Sequence, residues 1–255
     1  MNKEDYVILE GRTHGSYEYP DILVAKQRSL QGKNWHKAQE ALEAEGRFMP
    51  TIRQYVDFLT LLKSGKAYDG AGKKINNQEL DSILDDILTV RNPWRAEWLD
   101  ASFSKQGQEF YISYHRLNQG KLEQVTEPLQ ECLMQDKTPG IDIESWLQNA
   151  NEQGLPSQST KQEKLYFLHP REGRVAGFGA DSVRASLDCD GYPRGSGSAL
   201  GVRECVSAEG APEKISMPAL DEKITRAIQS GKKFEFGNFI YTPTPKENKA
   251  QGERK

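Results

Sequence analysis

Four histidines (His14, His36, His115, His169) and three cysteines (Cys132, Cys189, Cys205) are the side chains of this chain best suited to metal or nucleophilic chemistry. A zinc site needs ligands at short, fixed spacings such as HExxH or CxxC, and none occurs. A catalytic thiol needs a base or a positive field to become a thiolate, and no obvious Cys/His pairing supplies one. The histidines therefore read as structural or surface residues and the cysteines as buried, inert thiols. An odd number of distant cysteines also makes no disulfide framework. Gly191–Gly201 runs Gly-Tyr-Pro-Arg-Gly-Ser-Gly-Ser-Ala-Leu-Gly, which superficially suggests a phosphate cradle. No Gly-Lys-Ser/Thr follows and no helix pattern opens after it to supply a dipole, so nucleotide binding is not expected. The basic pairs Lys63/Lys66, Lys73/Lys74 and Lys232/Lys233 stand among acids or in solvated turns. The expectation is a protein without a catalytic set, a metal or a cofactor.

Composition narrows the class further. The 255 residues carry 34 basic against 37 acidic side chains, a net charge of −3. Whole-protein capture of nucleic acid is not expected at that balance. Mean hydropathy is −0.75, wet for a globular chain, but 4 Trp, 10 Tyr and 9 Phe supply large buriable rings. The length fits one large domain, or one domain with an insertion or tail. No run of 18 apolar residues occurs, so no membrane-spanning helix is expected. Met1–Asp5 lacks the basic start and apolar core of a secretory signal, and the expected location is cytoplasmic.

The elements that must position any site follow from periodicity. Asn34 caps a helix in which Trp35, Ala38, Ala41 and Leu42 share a face, with Gly46 as its stop. Pro50 and Thr51 open a second helix lined by Ile52, Tyr55, Val56, Leu59 and Leu62 and ended by Gly65. A third helix is predicted from about Asn77 to Leu88, before Asn92-Pro93. Trp94, Trp98 and Leu99 read as a short aromatic anchor. A hairpin is predicted across Asn118-Gln119-Gly120, and Asp142 caps a helix over Ile143–Ala150. From Leu165 the texture changes to a strand, Leu165–Leu168, then to short strands among Gly, Ser, Asp and Arg. Residues 206–255 read as a C-terminal helix-strand extension: a hinge at Ser207–Ser216, a small helix from Pro218, a strand over Phe234–Tyr241 and a charged, disordered tail at Lys246–Lys255.

Two motifs carry a family resemblance. Asn34-Trp35-His36-Lys37-Ala38 followed by Gly46-Arg47-Phe48-Met49-Pro50-Thr51-Ile52-Arg53-Gln54-Tyr55 resembles the helix–Gly-x-x-x-Pro-Thr–helix element of the C-type-lectin-like fold of formylglycine-generating-enzyme type. Asp181-Ser182-Val183-Arg184-Ala185 followed by Leu200-Gly201-Val202-Arg203 resembles the terminal strand pair of the same fold. The pattern is most similar to the target (variable) proteins of diversity-generating retroelements, including archaeal and archaeal-virus forms. The resemblance implies an α+β fold with a C-type-lectin-like core over residues 1–205 and a helical/hairpin insertion at 66–164. It also implies a function: display of a hypervariable surface to an unidentified macromolecular ligand of protein type, without chemistry. An oxidase of the formylglycine-generating type, with Cys189 and Cys205 as its only candidate thiols, and a structural scaffold subunit are the alternatives.

The residues themselves support the same division of labour. Side chains alternate across a strand, so one set packs while the other faces outward. Val175, Phe178, Ala180, Ser182, Arg184, Ala185, Leu187, Cys189, Pro193, Ser196, Ser198, Leu200, Gly201, Val202 and Arg203 read as scaffold. The ligand-binding set is Gly177, Gly179, Asp181, Val183, Ser186, Asp188, Asp190, Gly191, Tyr192, Arg194, Gly195, Gly197 and Ala199. Binding energy concentrates on aromatic and arginine side chains, which singles out Tyr192 and Arg194.

Overall fold

The computed structural model describes residues 1–118, 120–208, 234–236 and 239–241. The chain divides into two compact units, Met1–Glu209 and Gly210–Lys255. The first is mixed α+β. In chain order it contains β1 (Tyr6–Leu9), β2 (Arg12–His14), β3 (Tyr17–Tyr19), β4 (Ile22–Ala25), α1 (Trp35–Glu43), α2 (Ile52–Ser64), α3 (Asn77–Leu88), β5 (Arg95–Gln106), β6 (Glu109–Asn118), β7 (Lys121–Pro128), β8 (Lys137–Ile141), α4 (Ile143–Asn149), β9 (Leu165–Leu168), β10 (Arg174–Ala180), β11 (Ala185–Gly191), β12 (Leu200–Val202) and β13 (Cys205–Ser207). In the second unit, β14 (Phe234–Phe236) and β15 (Phe239–Tyr241) form an antiparallel pair with Phe234 opposite Tyr241. The single strand expected over Phe234–Tyr241 is thus two paired strands. The helix expected from Pro218 and the tail at Lys246–Lys255 lie outside the described residues.

Each helix of the first unit starts on the side chain that local chemistry demands. Asn34, Asn76 and Asp142 each accept from a backbone N–H in the first turn of α1, α3 and α4. Thr51 and Gln54 form a reciprocal capping box on α2, and Gly65 ends that helix at φ +68°, where a side chain would be strained. Unlike α1, α2 is buried on nearly all sides, including its polar Arg53, Gln54 and Asp57.

The main sheet runs β7-β6-β5-β10-β11-β9-β8, with β12 parallel to the first half of β5. A smaller sheet, β1-β4-β13, joins the start of the unit to its end. One face of the main sheet carries the larger core, where Phe178 lies 5.4 Å from the Tyr55 ring and stacks on Trp146 at 6.2 Å. On the other face Trp35, Ala38 and Leu42 of α1 pack with Met49, Trp98, Val175, Leu200 and Val202.

One expectation changes. The aromatic anchor at Trp94–Leu99 leads into a strand of twelve residues, β5, an interior strand of the sheet. Its strand character is hidden because Arg95, Glu97 and Asp100 point inward and are buried. Residues 66–164, read as an insertion, supply β5 and share one hydrophobic cluster with α2 and β10 through Ile83, Leu99, Phe103 and Trp146. No helix among the described residues is long and apolar enough to cross a membrane.

Candidate functional site

The antiparallel register of β10 and β11 sets which side chains meet. Gly177 lies opposite Asp188 and Gly179 opposite Ser186, while Phe178 lies opposite Leu187. Directly opposed residues share a face. Gly177, Gly179, Ser186 and Asp188 therefore look away from the core that Phe178 and Leu187 enter. The same face continues over β5, with Trp98 beside Gly177 and Ala96 beside Gly179, and over β9, with Leu168 beside Asp188 and Tyr166 beside Ser186. Pairing on both sides of β10 is irregular between Val175 and Gly177, the kind of break that bends a strand and re-aims its side chains.

A cleft of about 740 Å³ opens on this face, within the range of small-ligand sites. Trp94, Trp98, Leu168, Asp188, Tyr192 and Ser196 are among its lining residues. It stays open because glycines floor it. A Cβ at Gly177 would sit 3.2 Å from the Glu97 carbonyl oxygen, and one at Gly191 would sit 2.8 Å from that of Val175. Trp94 is 45% and Tyr192 66% exposed.

Most charges around the cleft are answered within the chain. Asp190 pairs with Arg171 at 3.3 Å and Arg174 at 3.5 Å. The Arg174 guanidinium also lies 3.4 Å from the Tyr192 ring centre. Asp181 accepts from the N–H groups of Val183 and Arg184, which fixes the β10–β11 turn, and pairs with the Arg184 guanidinium at 3.8 Å. Arg91 reaches Asp86 at 3.3 Å, and Arg95 reaches Glu97 at 2.8 Å. Asp188 is the exception: it accepts from the Asp190 N–H at 2.7 Å but has no cationic partner among the described residues. Burial pushes its carboxyl above the ordinary value, against the lowering effect of the Asp190 N–H and Arg184.

Of the residues singled out from the sequence, Gly177, Gly179, Asp181, Ser186, Asp188, Asp190, Gly191, Tyr192 and Gly195 line this cleft. Val183, Arg194, Gly197 and Ala199 are not among its lining. Val183 is exposed on the β10–β11 turn, Arg194 is exposed on the loop, Gly197 abuts the Trp94 ring, and the Ala199 carbonyl accepts from Arg28. Ser182, Arg184 and Ser196, read as scaffold, line the cleft instead. Alternation holds only inside strands, and these three stand in a turn or a loop. Trp94 and Trp98 were missed as site residues because the strand that delivers them was missed. An exposed Trp directly after a proline was the available signal.

The other chemistry-bearing side chains stay apart. His14 bonds Asp57 at 2.8 Å, His115 bonds Asp100 at 3.1 Å, His169 bonds Asp136 at 2.8 Å, and His36 meets the Trp35 ring edge-on. Among the described residues no three His, Cys, Asp or Glu side chains form a group that could hold a metal. His115 and Asp100 line a second cavity of about 220 Å³ with Gln39, Glu43, Met49 and Gln124, which brings no Ser, Thr or Cys to the dyad. The Gly191–Gly201 segment leads into β12, not a helix.

Cys189 and Cys205 lie on strands of different sheets, and all three thiols are free and buried. Burial pushes Cys132 up to about 12 and the other two well above their ordinary value. A thiol reagent is therefore expected to modify the native protein slowly and to label all three only after unfolding. Fast stoichiometric labelling of native Cys189 or Cys205 would overturn that assignment. Comparison of the chain with protein-family models, with curated proteins and with solved structures found no match.

Proposed function

We propose that this chain is a binding protein that presents a diversified surface on a C-type-lectin-like scaffold of formylglycine-generating-enzyme type, and that a retroelement varies that surface. The observation that carries the reading is the parity of β10 and β11. Core residues Phe178, Leu187 and Cys189 occupy one face, and the chemically unrelated Gly177, Gly179, Ser186 and Asp188 meet in a cleft on the other. A rigid sheet with a loop-rimmed depression suits recognition in the manner of a paratope. The sheet β1-β4-β13 supports it by tying the start of the unit to its end, so that the loops between ride on a closed frame.

Two libraries test this. Randomising Val183, Ser186, Tyr192, Arg194, Ser196 and Ser198 is expected to yield mostly cooperatively folded clones, since such surface changes cost within about 0.5 kcal/mol each. Randomising Phe178, Leu187, Leu200 and Val202 is expected to yield few, because polar replacements bury unpaired groups. Gly177, Gly179 and Gly191 stay fixed in both libraries. None of them has a positive φ, and the obstacle is crowding against neighbouring strands. Equal failure of both libraries would mean an ordinary packed segment and end the proposal. A near-repeat of the coding segment for 174–203, differing at adenines beside a reverse transcriptase gene, would support the retroelement directly.

A further inference from the structure

We propose that the cleft takes a basic side chain, an arginine or lysine of a polypeptide partner, with Asp188 as its counter-charge and Trp94 and Tyr192 as aromatic walls. The inference rests on the cleft being the binding face and adds the chemistry of what enters it. Charge accounting is the first argument. Arg91, Arg95, Asp181, Arg184 and Asp190 all line the cleft, and each is paired within the chain. Among the described residues Asp188 forms no ion pair, and it lies opposite Gly177, so no side chain from β10 covers it. The charges of Asp190 and Asp136 deepen the negative field there, against the opposing Asp190 N–H and Arg184. A half-buried carboxylate in that position is costly in the free protein and is relieved when a cation arrives.

The walls give the second argument. Tyr192 already carries the Arg174 guanidinium 3.4 Å from its ring centre, so this surface accepts a guanidinium within the chain itself. Trp94 presents a second partly exposed ring on the same cleft. Size and donor set decide the kind of cation. The cleft is far larger than a metal ion needs, and Asp188 belongs to no group of three metal donors among the described residues. Ser182 and Ser196 bring hydroxyl groups to the rim to meet a peptide main chain.

The full chain would be titrated with an acetyl-Gly-Arg-Gly-amide peptide, its citrulline counterpart and agmatine, following the indole signal of Trp94. The arginine peptide is expected to bind, with citrulline weaker by about tenfold or more. Asp188→Asn should lower affinity for the arginine peptide by a similar factor. Its melting temperature should equal or exceed that of the unsubstituted protein, because the substitution removes an unpaired half-buried charge and keeps an oxygen for the Asp190 N–H. A merely structural role for Asp188 would lower the melting temperature instead. Equal binding of arginine and citrulline peptides, or unchanged affinity in Asp188→Asn, overturns the proposal. Agmatine binding as tightly as the peptide overturns the polypeptide assignment. If the arginine peptide fails but a neutral or acidic peptide selected from a displayed library shifts Trp94, the charge inference falls and the binding face stands. If no selected peptide shifts Trp94, both fall.

Discussion

Replacing Arg203 with methionine is expected to destabilise the fold by about 3–5 kcal/mol, the usual effect of removing one partner of a buried ion pair. Arg203 and Glu97 are both 0% exposed. The guanidinium Nε donates to Glu97 Oε2 at 2.9 Å, and Nη1 donates to the carbonyl oxygens of Ala25 and Lys26. Glu97 also accepts from Arg95 at 2.8 Å and from the Tyr55 hydroxyl at 3.0 Å. Asp86, 3.2 Å from Arg95, 3.5 Å from Arg203 and 3.3 Å from Arg91, extends the cluster toward the surface. Methionine would leave the Oε2 of buried Glu97 without its Arg203 partner and two carbonyls of the β4 end without their donor.

Burial alone would raise the Glu97 carboxyl, but Arg203 and Arg95 outweigh it and hold the group below the ordinary carboxylate range. A depressed carboxylate contributes stability that is present above its unfolded value and lost as pH falls through the folded one. The unsubstituted protein should therefore weaken on acidification below the ordinary carboxylate range, and Arg203→Met should flatten that dependence. Denaturant melts at neutral and acidic pH measure both effects. A loss below about 1 kcal/mol at unchanged slope would show that the pair does not hold β12, β5 and β4 together.

That network also marks where sequence reasoning ran out. Helix starts were legible because the cause is local: Asn34, Thr51, Asn76 and Asp142 cap the turns that follow them. The β10–β11 alternation was legible for the same reason, since Leu187 and Cys189 differ in type from Ser186 and Asp188. β5 was not. Arg95, Glu97 and Asp100 look like surface residues until their partners are known, and the Glu97 partner Arg203 is 106 positions away. Missing β5 concealed Trp94 and Trp98 and left Tyr192 as the only aromatic residue in the expected site. Asp188 was picked out as one of many variable positions. Its lack of an ion pair among the described residues is a property of the fold that no spacing announces.

The β5–β10–β11 layer separates two tasks by the thickness of one sheet. On the inner face, Phe178 is held between Tyr55 and Trp146, where volume and shape are constrained. On the outer face the crowded positions of β10 are glycines, and Ser186 and Asp188 of β11 line the cleft beside Ala96 and Trp98 of β5. Variation of those side chains changes what is presented without changing what is packed.

Trp35→Ala is expected to cost about 3–5 kcal/mol and to disturb the cleft as well, because Trp35 belongs to both tasks. Its ring is buried with Ala38, Leu42, Met49, Trp98, Val175, Leu200 and Val202. Its indole N–H donates to the Leu99 carbonyl at 2.9 Å, which pins α1 to β5. Its backbone N–H donates to the carbonyl of Pro193 at 3.1 Å, so the first residue of α1 also tethers the loop that carries Tyr192 and Ser196. Alanine keeps that backbone bond but removes the ring that fixes where α1 sits, and the cavity left lies under Trp98 and Leu200. A denaturant melt should show the full loss of stability. Under conditions where the variant is still folded, its affinity for any cleft ligand should fall alongside. A loss below about 1 kcal/mol would remove α1 from the core. A full loss of stability with unchanged cleft affinity would show that the loop is held by β12 and its own turns, without help from the helix.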